Sequence, residues 1–229
     1  MGQLQASAAT ANITPPLGTY LSGYYHQRQA TSVHDELYAR ALCLSDGHNE
    51  VVIVSCDQIG LPAARVRVAK ERVTELCGLR PDQVLIGFTH THTGPAGGWL
   101  PLQPVNEAYL EVMAEKIADA VALAHQRLQP AELGYGVGTE GRLSFNRRFW
   151  MRDGSVATNP GVGNPDIVGP VGPIDPSVGV ISIRALDGAP IAVWVNFAVH
   201  LDTTGGNEIS ADYPYYLTEA LARRFGSEL

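Results

Sequence analysis

Histidine and aspartate side chains follow three apolar segments of this 229-residue chain. The run VVIVSCD ends on Asp57, VLIGFTHTH ends on His90 and His92, and IAVWVNFAVHLD ends on His200 and Asp202. Histidine and carboxylate without cysteine are the ligand types of a catalytic zinc ion rather than a structural one. A water molecule on such an ion reaches a pKa near ~7, so the pattern indicates hydrolytic chemistry at neutral pH.

Each of these residues also has a structural interpretation. A single histidine at a strand end is often a hydrogen-bonded cap, and Asp57 or Asp202 could close the turn that follows its strand. Asp212 precedes Pro214, which is where a helix N-cap belongs. The coincidence of several such residues at strand ends nevertheless favours one shared site. Asp57, Asp202 and Asp212 are therefore candidate additional ligands or partners of the ligands.

A strand–helix–strand unit would bring two of these strand ends together. Residues 50–57 and 82–90 are apolar runs, and residues 62–77 between them carry apolar side chains at helical spacing. This order predicts parallel pairing with a right-handed crossover, and a ligand crevice beyond the carboxyl ends of the strands. Since residues two apart on a strand share a face, we expect His90 and His92 to point the same way.

Two hairpins and two further helices complete the predicted fold. Turn signals at Asp46-Gly47 and Asp187-Gly188 each separate two apolar runs. Helical periodicity covers about 106–128 and about 214–225. We therefore expect a layered α/β fold with a mixed sheet.

The segment 140–177 contains six glycines and five prolines and separates the strand predicted at ELGYGVGT from the second hairpin. Its length and composition predict a long lid or binding loop, or a disordered segment. Arg147 and Arg148 lie beside aromatic residues at its start. They are either solvated or form a guanidinium fork for a carboxylate or an oxyanion.

Composition excludes several classes of protein. The net charge of −7 without a basic cluster argues against a nucleic-acid partner. Three cysteines without CxxC spacing predict neither a disulfide framework nor a thiolate zinc site. No segment has transmembrane length, and the first residues lack a signal-peptide pattern. These features predict a cytoplasmic protein, or a secreted one whose signal has been removed.

Several segments together resemble one family of enzymes. THTHTGPAGG, HDELYARALCL, VVIVSCDQIG, FNRR and NFAVHLDTTGGNEISADYP are similar to the N-terminal catalytic domain of the neutral/alkaline, non-lysosomal ceramidases. The resemblance implies a zinc-dependent amidase that hydrolyses the N-acyl bond of ceramide to sphingosine and fatty acid. It also implies that His90 and His200 bind zinc, while His92 and Arg147 act beside the scissile amide as proton shuttle or oxyanion partner.

The chain departs from the family pattern in two ways. Where the family usually continues Ser-Pro after the NR pair, this sequence has Arg148-Phe149-Trp150, which resembles a shorter bacterial branch. The family's remaining zinc ligands, a glutamate and a tyrosine, lie later in a longer domain. We therefore expect residues 1–229 to form a truncated catalytic domain that holds zinc weakly or not at all by itself. Its uncovered apolar edges favour a homodimer.

The leading functional hypothesis is a ceramidase-like zinc amidohydrolase of lipid and sphingolipid metabolism, acting on an N-acyl lipid or another small amide. One alternative is a metal hydrolase for a different amide, ester or lactone, with the segment 140–177 setting the substrate. Another alternative is a catalytically silent truncated domain, because of the missing ligands.

Overall fold

The computed structural model describes residues 3–98 and 101–226. Within them are fourteen β strands and three α helices, so the expected α/β class is confirmed. The strands are β1 (Gln5–Asn12), β2 (Tyr20–Leu21), β3 (Arg28–Gln29), β4 (Ser32–Val33), β5 (Tyr38–Ser45), β6 (Glu50–Cys56), β7 (Val84–Phe88), β8 (Gln129–Thr139), β9 (Arg148–Met151), β10 (Val156–Thr158), β11 (Ile167–Pro170), β12 (Ser177–Ala185), β13 (Pro190–Phe197) and β14 (Glu208–Ile209). The helices are α1 (Ala63–Cys77), α2 (Glu107–Gln126) and α3 (Tyr213–Phe225).

The chain folds as two units. The first contains Met1–Gly134, Ser182–Val193 and Leu201–Leu229, and the second contains Tyr135–Ile181 and Trp194–His200. A single catalytic domain over residues 1–229 stays a prediction, since both ends of that range lie outside the described residues.

A mixed sheet forms the centre of the first unit, with strand segments in the order β13-β12-β8-β1-β5-β6-β7. Strand β5 pairs antiparallel with both β1 and β6, and the turn between β5 and β6 includes Gly47 at φ 85°. Strands β6 and β7 pair in parallel and are connected by α1. The predicted first hairpin and the strand–helix–strand unit are therefore both confirmed.

Helices α1 and α2 pack against each other, and α2 covers β1 and β5. The core is built from small and branched side chains on these elements, including buried Val54, Val73 and Ile117. The Asn106 side chain caps α2 by accepting from the amide of Tyr109 at 3.1 Å. At the end of α1, Gly78 adopts φ 76° and its amide donates to Thr74 O, which is the predicted glycine stop.

The second unit corrects the prediction of a long loop over 140–177. In this range β9 pairs antiparallel with β10 and with β11, forming a three-stranded sheet. A tight turn joins β9 to β10, where Gly154 adopts φ 82° and its amide donates to Met151 O at 2.9 Å. One of the glycines that suggested a loop, Gly154, thus lies in a hairpin turn. The dipeptide Asp153-Gly154 is a turn signal that the prediction did not use.

The turn predicted at Asp187-Gly188 is confirmed. Gly188 adopts φ 89°, and the amide of Ala185 donates to Ala189 O at 2.9 Å. Across residues 3–98 and 101–226, none of the helices has the length and apolar character needed to cross a membrane.

Candidate functional site

The backbone holds His90 in a strained conformation just beyond β7. Its φ is 74°, in the left-handed region that residues with a Cβ rarely adopt. The His90 amide donates to Gln58 O at 3.0 Å, which ties the turn to the end of β6. Strand β7 ends at Phe88, so the strand alternation behind the expectation that His90 and His92 point the same way does not extend to these residues.

The ring of His90 has a defined orientation. Its Nδ1 lies 2.8 Å from the carbonyl oxygen of Ile59, and a carbonyl can only accept, so Nδ1 carries the proton of the neutral ring. The lone pair is then on Nε2. A histidine that donates through one nitrogen to a carbonyl and offers the other is the usual form of a metal ligand.

Threonine side chains anchor the turn between the two histidines. Thr91 and Thr93 are fully buried, and their hydroxyls donate to Ser210 O at 2.7 and 2.9 Å. The Ser210 hydroxyl in turn donates to Asp35 at 2.5 Å. The turn is thus attached to the segment that precedes α3, although the two are more than a hundred residues apart.

His92 lies beside His90, with ring centroids 5.1 Å apart. Its Nδ1 is 3.8 Å from Oδ1 of Asp202, and its side chain is 11% exposed. The structure therefore places the predicted Asp202 next to His92. Gly23 packs against the same ring, since a Cβ built at Gly23 would lie 2.6 Å from Cγ of His92.

Asp57 is held by a different set of partners. Its Oδ2 accepts from Arg40 Nη1 at 2.6 Å and from the Tyr38 amide at 2.9 Å, and its side chain is fully buried. Burial raises the pKa of the Asp57 carboxyl, against the opposing effect of the Arg40 cation. These contacts correspond to the structural interpretation, in which Asp57 fixes the end of β6 against β5.

Asp212 caps α3, as its position before Pro214 predicts. Its carboxylate accepts from the amides of Thr203, Thr204 and Tyr213 at 2.8, 2.7 and 2.6 Å. Asp212 itself adopts φ 63°. The carboxylate thereby connects the start of α3 to the segment that carries Asp202.

Two of the residues predicted for the site belong to the second unit. Arg147 follows Asn146, and its side chain is exposed, while its carbonyl accepts from the Asn159 amide at 2.9 Å. His200 is the last residue of that unit and precedes Leu201 directly. His90 and His92 lie side by side in the first unit, and imidazole nitrogen is a donor that suits zinc.

Sequence reasoning missed Tyr24 and Arg28. The Tyr24 hydroxyl donates to Asp202 Oδ1 at 2.8 Å, and Arg28 is buried beneath the turn, where it donates to His92 O at 2.5 Å. Burial, together with the Asp202 carboxylate, raises the pKa of Tyr24, so the phenol keeps its proton. Their segment, SGYYHQR, has no spacing that indicates a site.

A family model matches most of the chain. The model described as neutral/alkaline non-lysosomal ceramidase, N-terminal, matches residues 5–212. The chain belongs to this family. The resemblance inferred from its motifs is therefore confirmed.

Curated ceramidases are similar to the chain over most of its length. The neutral ceramidase of Pseudomonas aeruginosa is 27% identical over 210 residues, which are 86% of this chain and 30% of that protein. Neutral ceramidase A of Dictyostelium discoideum is 27% identical over 223 residues, covering 90% of this chain and 30% of its own length. The chain thus spans about a third of the length of these relatives.

The fold is also that of a solved ceramidase. The crystal structure of neutral ceramidase from Pseudomonas aeruginosa superposes with a TM-score of 0.78 at 21% identity, covering 98% of this chain and 36% of that one. A ceramidase complexed with C2 gives a TM-score of 0.79 with the same identity and coverage.

Proposed function

We propose that this chain contributes the histidine centre of a ceramidase-like amidohydrolase. The reaction adds water across an N-acyl amide bond and releases a carboxylic acid and an amine. The observation that carries the proposal is the turn that holds His90 and His92 side by side, with ring centroids 5.1 Å apart, in a chain that belongs to the ceramidase family. The substrate class is an N-acyl lipid, in line with the neutral ceramidases to which the chain is similar.

His90 and His200 would hold the zinc ion. When bound, zinc would polarise the amide carbonyl and lower the pKa of a water molecule. The contribution of His90 is a fixed ring, since its strained backbone and its contact with Ile59 O leave little freedom to turn. The contribution of His200 is a second imidazole directly before the segment that carries Asp202.

His92 and Arg147 would act on the reacting amide. His92 is partly buried beside His90 and can accept a proton and pass it to the leaving nitrogen. Arg147 carries an exposed guanidinium, which can donate to a developing oxyanion. A second role for His92 is favoured by its place beside His90, with ring centroids 5.1 Å apart, because its ring nitrogen could also serve as a further zinc ligand.

The deciding experiment measures bound zinc and fatty-acid release from an N-acyl sphingosine for four alanine variants. We expect H90A and H200A to lose zinc and activity together. The variant H92A should keep its zinc and lose about 100-fold or more in kcat, as is typical when a proton-transfer group is removed. The exposed His48 in the turn after β5 supplies the control, since H48A should match the wild type in both measurements.

Two outcomes would change the assignment. Loss of zinc in H92A would make His92 the third ligand rather than a proton carrier. Wild-type zinc content and activity in H90A would contradict the proposal as a whole.

A metal hydrolase for a different amide, ester or lactone is the second candidate. It is favoured by the three-stranded sheet β10-β9-β11, because this segment departs in sequence from the family pattern after the NR pair. A panel of N-acyl lipids, short amides, esters and lactones separates the candidates. Turnover of another substrate without any release of fatty acid from ceramide would favour this second function.

A further inference from the structure

A hydrogen bond between Tyr24 and Asp202 lies directly beside His92. The Tyr24 hydroxyl donates to Asp202 Oδ1 at 2.8 Å, and the same oxygen lies 3.8 Å from His92 Nδ1. At that distance the second contact is not yet a hydrogen bond, but catalytic hydrogen bonds are commonly long without substrate. The Tyr24 contact fixes which carboxylate oxygen faces the imidazole.

The His92 ring is also confined by packing. The ring of Tyr24 meets it edge to face, with centroids 5.9 Å apart and an interplanar angle of 64°. Gly23 touches it so closely that a Cβ there would lie within 2.7 Å of Cβ, Cγ and Nδ1 of His92. The imidazole therefore has Tyr24 and Gly23 as immediate neighbours from one short segment of chain.

Arg28 holds this segment in place. Its guanidinium lies 3.8 Å from the centroid of the Tyr24 ring and donates to three backbone carbonyls. Those carbonyls belong to Ser22, His92 and Gly206, at 2.7, 2.5 and 2.6 Å. The planar fork of arginine can reach three carbonyls that lie in three different segments. Tyr24, His92 and the chain that follows Asp202 are thus attached to one buried side chain.

We propose that Tyr24 and Asp202 are positioning residues for His92, and that Arg28 holds Tyr24 in place beside both. The pair keeps the Nδ1 side of the imidazole turned to Asp202, so the Nε2 side is turned away from it. The inference rests on the proposed function, in which His92 moves a proton at the amide. It goes beyond that function because neither Tyr24 nor Arg28 belongs to the zinc ligands or to the groups assigned to the amide.

The test removes the hydroxyl of Tyr24 and compares this variant with a matched control variant. The variant Y24F lacks the donor to Asp202, and Y25F alters the neighbouring tyrosine, which is 88% exposed. We expect Y24F to lower kcat about tenfold with KM and bound zinc unchanged, which is the size of effect seen when partners of metal-site residues are removed. The variant Y25F should match the wild type.

A spectroscopic measurement tests positioning without any turnover. The ring ¹⁵N and ¹H signals of His92, assigned by comparison with H92A, should shift in Y24F and not in Y25F. The variant D202N should shift the same signals and lower kcat similarly, and the double variant should be no worse than either single one because the pair acts as a unit.

The outcomes separate this inference from the proposed function. If Y24F resembles Y25F in both kcat and the His92 signals, the positioning role is overturned. If no variant and no wild-type protein hydrolyses an amide, the proposed function fails, while the His92 signals still decide whether Tyr24 and Asp202 orient the ring. Unfolding midpoints of all variants show whether a lower kcat reflects loss of the fold.

Discussion

His90 and His92 differ in how the protein holds them. His90 depends on its own backbone, with a φ of 74° and a fixed Nδ1 contact to Ile59 O. His92 depends on its neighbours, above all the absence of a side chain at Gly23. Because of this difference, a substitution outside the histidines should disturb one ring and leave the other in place.

Gly23 provides that substitution. In G23A the new Cβ would meet the His92 ring at 2.6 Å, and the backbone φ of 105° also disfavours a side chain. We expect a loss of about 2–4 kcal/mol in the free energy of unfolding, from strain and overpacking together. The control is G18A, where φ is 82° but no atom lies within 4 Å, so only the backbone cost of about 1–2 kcal/mol remains. Urea titrations of both variants measure the difference, and equal losses would contradict a clash with His92.

The Arg40–Asp57 pair tests whether Asp57 is structural. R40M leaves a fully buried carboxylate without its cation, so we expect it to lower the free energy of unfolding by about 3–5 kcal/mol. R40M/D57N removes both charges and should be less destabilised than R40M alone. Bound zinc should be the same in D57N as in the wild type. Loss of zinc in D57N with an intact fold would instead make Asp57 part of the metal site.

Residue types at strand ends predicted His90, His92 and Asp202, which the structure places beside one another, while their roles stay a prediction. They could not reveal Tyr24 or Arg28, because each contacts the site across a long stretch of chain. Tyr24 contacts Asp202, 178 residues away, and Arg28 contacts His92, 64 residues away. Side-chain spacing carries information only within one element, and these two residues lie in a segment of short strands and turns. Only the tertiary contacts of Tyr24 and Arg28 place these two residues at the site.

At the scale of elements, the site is assembled from turns rather than from strands. The apolar pattern predicted β5, β6, α1, β7 and α2 correctly, since each has a regular period and a recognisable turn or stop. The same pattern did not predict the end of β7 or the short strands β9, β10 and β11. Those strands have three or four residues each, too few for an alternation to stand out among glycines and prolines.

The cap of α3 is an element-scale prediction. D212A removes the acceptor for the amides of Thr203, Thr204 and Tyr213, so we expect a loss of about 2–3 kcal/mol in the free energy of unfolding. It should also lower kcat, because Asp202 lies on the segment that Asp212 holds. The matched control is N106A, because the Asn106 side chain accepts from one amide only at the start of α2, and its loss should cost about 1 kcal/mol with kcat unchanged. An unchanged kcat in a folded D212A protein would mean that Asp202 does not need this anchor.

At the scale of the whole molecule, the excess of acidic groups favours the approach of a metal cation. The net charge is −7, and a long-range field of this sign raises the local concentration of divalent ions. Bound metal also stabilises the folded state by mass action, since the unfolded chain does not preserve the site.

Zinc should therefore raise the unfolding midpoint of the protein. At a free zinc concentration about 100 times the dissociation constant, the expected gain is about 2.7 kcal/mol. The variant H90A should lose this gain, and H48A should retain it. Calorimetric scans with and without zinc measure the effect, and an equal rise in H90A would show that the stabilising ion binds elsewhere.

The left-handed backbone at His90 has a consequence for the stability of the fold. Glycine would occupy φ 74° at no steric cost, so histidine is the less stable choice at this position. A domain selected for stability alone would therefore carry glycine or asparagine here, and the imidazole of His90 is held at a conformational cost to the fold.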